Sequence, residues 1–75
     1  MKTRQILAEN LKRRRKAMRL SQEELAHQAG LDRTYISALE RTVYAASVDK
    51  LELLANVLKV SPARLLEEIS NVEQL

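Results

Sequence analysis

Residues 20–41 read Leu20-Ser21-Gln22-Glu23-Glu24-Leu25-Ala26-His27-Gln28-Ala29-Gly30-Leu31-Asp32-Arg33-Thr34-Tyr35-Ile36-Ser37-Ala38-Leu39-Glu40-Arg41. They contain the start and stop signals of two short helices. Ser21 and Glu24 have capping-box spacing: the serine hydroxyl accepts the Glu24 amide, and the glutamate carboxylate reaches back to the Ser21 amide. Leu20 and Leu25 stand at the positions of a hydrophobic staple around that box. Gly30 is the one glycine of the chain and follows Ala29, where a left-handed residue closes a helix. Asp32 is the expected N-cap of the next helix. Ile36 and Leu39 then face inward, and Arg33, Thr34, Ser37 and Ala38 are left on the opposite face.

Two short helices joined by the three-residue turn Gly30-Leu31-Asp32 make a helix-turn-helix over about residues 21–41. Ala26 is small enough for the helices to cross closely, and Leu31 and Ile36 anchor the turn. The second helix can then offer its outer face to a DNA major groove, which is about wide enough for one helix.

Outward from this unit the same signals recur. A first helix is expected over roughly 4–18, with Leu7, Leu11 and Met18 on one face, the stems of Arg14 or Arg15 flanking it, and the basic groups pointing elsewhere. Leu20 is expected to pack back as the chain leaves it. Residues 41–47 form a connection. A fourth helix follows over about 48–58, capped by Ser47, burying Leu51, Leu54, Ala55 and Leu58. A fifth begins at Ser61-Pro62, where proline at the first helical position loses no needed hydrogen bond. Leu65, Leu66, Ile69 and Val72 form its apolar stripe, and the tail is expected to fray from about Asn71. The expected architecture is all-α, a single five-helix domain spanning residues 1–75.

Composition narrows the function. A chain of 75 residues without cysteine has neither disulfides nor thiolate metal sites, and a core this small is often supplemented by oligomerisation. No apolar run approaches the ~20 residues that span a bilayer. The N-terminus lacks the apolar region of a signal peptide, so a cytoplasmic location is expected. Residues 1–19 carry a charge balance of +7 and residues 20–75 one of −4. The basic end points to a polyanionic partner, and the acidic remainder argues against indiscriminate coating of nucleic acid. The basic run Lys12 to Lys16 reads as the solvated face of a packed helix, one or two members of which could touch phosphate. His27 is the lone histidine and reads as an exposed helix residue. No nucleophile–base pair, metal cluster or phosphate loop is present to suggest an enzyme. No cofactor, metal or small-molecule ligand is expected.

The stretch from Leu20 to Arg41, continued by Ser47-Val48, Leu51-Glu52-Leu53-Leu54-Ala55 and Val60-Ser61-Pro62, closely resembles the Cro/C1-type (XRE) helix-turn-helix family. The resemblance covers nearly the whole chain and implies a lambda-repressor-like fold. The run Leu31-Asp32-Arg33-Thr34-Tyr35-Ile36-Ser37 looks especially like the controller proteins of restriction–modification systems. The resemblance also implies a phosphate contact from Gln22. One position departs from it: many relatives have Gly or Asn after the Glu-Arg that ends the recognition helix, where this chain has Thr42. Thr is costly at positive φ, and Val43 and Tyr44 also disfavour a left-handed turn. The expected exit is therefore helical continuation or a tight turn that is not left-handed.

The candidate base contacts are Arg33, Thr34, Ser37 and Ala38. Arg can bond two acceptors on guanine, Thr offers a hydroxyl and a methyl, and Ser and Ala let the helix approach closely. Tyr35, Arg41 and Tyr44 suit phosphate contacts, with half-buried packing as the alternative for Tyr35. Leu65, Leu66, Ile69 and Val72 are the expected dimer surface, unless they only close the monomer core. The expected partner is a near-palindromic double-stranded operator bound by a homodimer, with half-sites about one helical turn apart. The rival reading is an antitoxin or another protein-binding regulatory module.

Overall fold

A computed structural model describes residues 2–68. Five helices follow in order: α1 Lys2–Ala17, α2 Gln22–Ala29, α3 Arg33–Glu40, α4 Val48–Leu58 and α5 Pro62–Leu65. α2 packs on α3 and α4, α1 on α3 and α5, and α4 on α5. The described residues contain no strand. The expected all-α, five-helix architecture is the one observed. Ile69, Val72 and the tail from Asn71 lie outside the described residues.

The shared core is Leu7 and Leu11 of α1, Leu25, Ala26 and Ala29 of α2, Ile36 and Leu39 of α3, Leu51, Leu54, Ala55 and Leu58 of α4, and Leu65 of α5. The 3.6-residue spacing places nearly all of these. Met18 is different: α1 ends at Ala17, so Met18 falls in the turn and is exposed. Leu20 is half-buried, as expected of a residue packing back.

Each of the first four helices closes in the same way. Two successive amides fold back: Arg19 on the Lys16 carbonyl and Leu20 on that of Arg15; Gly30 on His27 and Leu31 on Ala26; Thr42 on Leu39 and Val43 on Ala38; Lys59 on Asn56 and Val60 on Ala55. This is the Schellman pattern, with an apolar residue following the left-handed one. Only one left-handed position is glycine: Gly30 has φ 73°, while Arg19, Thr42 and Lys59 lie at 59°, 60° and 61°. A Cβ at Gly30 would meet nothing within 4 Å, so glycine serves there for its dihedral freedom and not for space.

Thr42 overturns the expected exit from α3. Local preference disfavours its conformation, but the turn pairs the carbonyls of Ala38 and Leu39 that helix termination leaves open, and the Thr42 hydroxyl bonds the Arg41 carbonyl. A β-branched residue held at left-handed φ costs on the order of 1 kcal/mol. Thr42→Gly is accordingly expected to raise domain stability by about 1 kcal/mol. Thermal unfolding checks this; an unchanged or lower midpoint would show that the threonine is accommodated without strain.

Candidate nucleic-acid interface

The interface is built from two helix starts and one helix end. At α2 the capping box is complete: the Ser21 hydroxyl accepts the Glu24 amide at 3.0 Å, and Glu24 accepts the Ser21 amide at 2.7 Å. The bonds from the Ser21 backbone and side chain hold the Glu24 carboxyl below its ordinary pKa. At α3 the Asp32 Oδ1 accepts both the Thr34 amide, at 2.8 Å, and the Thr34 hydroxyl, at 2.6 Å. The Thr34 side-chain bond, then its backbone bond, lowers the Asp32 pKa. Both caps stabilise the ionised carboxylate over the acid.

α3 turns Arg33, Thr34 and Arg41 to solvent, with Ser37 half-exposed between them. The Arg41 Nε donates to the Ser37 hydroxyl at 3.3 Å. These four positions lie within one arc of the helix surface. Ala38 does not share it. At 4% exposure it is buried, and the reversal through Thr42 brings Val43 back onto its carbonyl. Ala38 therefore offers no surface to a base, contrary to expectation.

Tyr35 packs against the core. Its ring centre lies 6.1 Å from that of Tyr44, and the Lys50 Nζ sits 4.5 Å above its ring, a cation–π distance. Its hydroxyl is enclosed and closes no well-formed hydrogen bond. Burial raises its pKa, and the Ser47 backbone offsets only part of that rise. Of the two readings for Tyr35, this geometry fits packing. Tyr44, in contrast, is exposed beside the α3 exit.

Gln22, at the first position of α2, is half-buried, and its Nε2 donates to the Glu40 Oε1 at 3.0 Å. Glu40 is in turn clamped by Arg15: Nε to Oε2 at 2.7 Å and a terminal guanidinium nitrogen to Oε1 at 3.0 Å. The other terminal nitrogen donates to the Leu20 carbonyl at 2.8 Å. The Arg15 and Glu40 side chains are 10% and 3% exposed. One buried bidentate pair thus joins the end of α1, the α1–α2 turn, the start of α2 and the end of α3.

A second internal polar group, Asn10 (1% exposed), donates through Nδ2 to the Leu65 carbonyl at 2.9 Å and the Glu67 carbonyl at 2.7 Å. It fastens α1 to the end of α5. Neither Glu40 nor Asn10 stands out in the sequence, and the Arg15 head group, expected to point away, points inward. A signal is present: Leu7, Leu11 and Arg15 follow at four-residue steps, so Arg15 lies in the apolar stripe of α1.

The expected dimer residues separate. Leu65 is fully buried in its own protomer's core, where α5 meets α1 and α4, and so has no surface for a partner. Leu66 is 40% exposed. It lines a shallow, largely apolar groove together with Leu7, Ala46, Val48 and Leu51. Among the described residues no group of three or more His, Cys, Asp or Glu is placed to hold a metal ion, and no helix is long and apolar enough to cross a membrane.

Residues 11–65 match the family model described as Helix-turn-helix. Control protein C.SmaI of Serratia marcescens is 42% identical over 66 residues, which cover 88% of this chain and 79% of that protein. The restriction–modification controller protein C.AhdI of Aeromonas hydrophila superposes with a TM-score of 0.83 at 34% identity, covering 87% of this chain and 98% of that one. SinR, a master regulator for biofilm formation solved in complex with DNA, superposes at 0.79 with 35% identity, covering 81% and 98%. The chain spans 59% of the length of a further relative, a hypothetical transcription factor of Neisseria meningitidis serogroup B (strain ATCC BAA-335 / MC58). With its capped helix pair, its exposed α3 face and this agreement in sequence and fold, the chain belongs to the Cro/C1-type (XRE) helix-turn-helix family and is a homologue of the restriction–modification controller proteins.

Proposed function

We propose that the protein is a transcription regulator that binds a near-palindromic DNA operator as a homodimer, in the manner of a restriction–modification controller. The observation that carries this reading is the solvent-facing row of Arg33, Thr34 and the half-exposed Ser37 on α3 with Arg41 at its C-cap, set beside Gln22 at the start of α2. It is a binding protein, not an enzyme, and it acts in the cytoplasm, where its operator lies.

Arg33 is the residue for bidentate bonding to guanine O6 and N7. The Thr34 hydroxyl hydrogen is engaged by Asp32, so toward a base it presents acceptor lone pairs and a methyl. These suit the amino group of cytosine or adenine, or the methyl of thymine. Ser37 lets the helix approach closely. Arg41, Tyr44 and Gln22 contact phosphates on either side of α3, and Glu40 holds the Gln22 amide in place. Tyr35 supports Tyr44 and Lys50 from beneath. The second copy docks over the groove at Leu66 and Val48, the latter 81% exposed.

Selection of bound duplexes from a random pool is expected to return a two-fold symmetric site. On that site, Arg33→Ala should cost about 1–3 kcal/mol of discrimination at one base pair per half-site, while Gln22→Ala weakens all sequences alike. An Arg33→Ala protein with an unaltered preference profile over single-base variants would overturn the assignment.

A further inference from the structure

Of the eight basic residues among positions 1–19, three bond within the fold, Arg14 is half-buried, and Arg4 lines the groove at Leu66. Lys2 pairs with Glu68 at 3.1 Å, Arg13 donates to Asn10, Arg14 has its Nε enclosed, and Arg15 clamps Glu40. Lys12, Lys16 and Arg19 are exposed, and among the described residues none of them makes an ion pair. Lys12 and Lys16 stand one helical turn apart on the same edge of α1, and Arg19 follows in the left-handed turn that closes the helix.

That edge adjoins the α3 exit. Lys12 shares a shallow groove with Gln5, Glu9, Glu40 and Thr42, and Thr42 directly follows Arg41. Arg19 lies two residues before Ser21, the cap of α2. The lone acidic neighbour in that groove with an exposed side chain is Glu9. A cation row of this kind gains little from the folded protein itself. It borders the face already assigned to DNA, and it lies in the part of the chain that carries the +7 balance.

We propose that Lys12, Lys16 and Arg19 form a phosphate-binding strip that follows the DNA backbone beyond the base-contacting residues of α3 and lengthens the footprint of each protomer. The proposal rests on the operator-binding reading. The strip supplies affinity and salt dependence without sequence information, because it meets only the phosphodiester chain.

The test is the slope of log Kobs against log salt concentration for the selected operator. For the triple variant Lys12→Gln, Lys16→Gln, Arg19→Gln, the slope should become shallower by about 2–3 per protomer, roughly 0.9 for each phosphate that is no longer neutralised. The preference profile over single-base variants should stay unchanged. Lys2→Gln, at the far end of the same helix, is the control and should leave the slope as it was. Circular dichroism establishes that the triple variant is folded. A folded triple variant with the wild-type slope would overturn the strip while leaving operator binding intact. A strip variant with an altered base preference would equally overturn it. Failure of the wild-type protein to bind any duplex would instead overturn the operator reading on which the strip depends.

Discussion

Glu40→Ala is expected to remove a large share of the stability of this domain. The substitution strands the Arg15 guanidinium, 10% exposed, without its carboxylate, and it frees the Gln22 amide. Truncating one partner of a buried, hydrogen-bonded pair costs about 3–5 kcal/mol, because the remaining charge stays desolvated. A domain of this size has roughly 4–11 kcal/mol in total at typical per-residue values. Urea unfolding should therefore show a large fall in midpoint, and Arg15→Ala should behave similarly. The double change Arg15→Met, Glu40→Leu is expected to recover much of the loss, since an apolar replacement leaves no charge uncompensated. A Glu40→Ala protein within about 1 kcal/mol of wild type would place the pair among the weakly coupled surface bridges instead. The double variant should also bind DNA more weakly on every sequence, because nothing then orients Gln22.

Two neighbouring leucines should respond in opposite ways to the same change. Leu65→Asp is expected to unfold the protein. Leu65 is fully buried, so the variant loses a core side chain, worth about 2–5 kcal/mol even for truncation to Ala. It also places an unpaired carboxylate among apolar groups, beside the carbonyl that Asn10 holds. Leu66→Asp is expected to leave the helical content intact and weaken self-association, with a matching loss of operator affinity. Circular dichroism and sedimentation separate the two outcomes. A folded Leu65→Asp protein would show that α5 does not close the core. A Leu66→Asp protein that remains a dimer would move the interface away from the groove.

Much of the fold can be read directly from residues 20–41 because its signals are local. A capping box, an N-cap and a glycine C-terminus each act within a few residues, so their geometry follows from spacing alone. Ser21 with Glu24, Asp32 with Thr34, Gly30 and the apolar positions of α2, α3 and α4 all appear in the structure where that spacing puts them. The face of α3 that bears Arg33, Thr34 and Ser37 follows from the same periodicity.

The remaining features depend on what lies across the core. Arg15 meets Glu40 twenty-five positions later, and Asn10 meets the Leu65 carbonyl fifty-five positions later. Periodicity places a residue on a face but does not name the group opposite it, so a basic residue in an apolar stripe reads as flanking until its partner is known. Ala38 and Leu65 illustrate the same limit. Both belong to faces whose centre is clear from spacing, yet their burial depends on the return of the chain after Thr42 and on the seating of α5 against α1 and α4. At Thr42 the local preference is real and is overruled. Pairing the carbonyls of Ala38 and Leu39 and directing Val43 back onto α3 outweigh a conformational cost of about 1 kcal/mol. That exchange is struck between a side chain's own dihedral preference and the packing of the whole domain, and only the second of these is invisible along the chain.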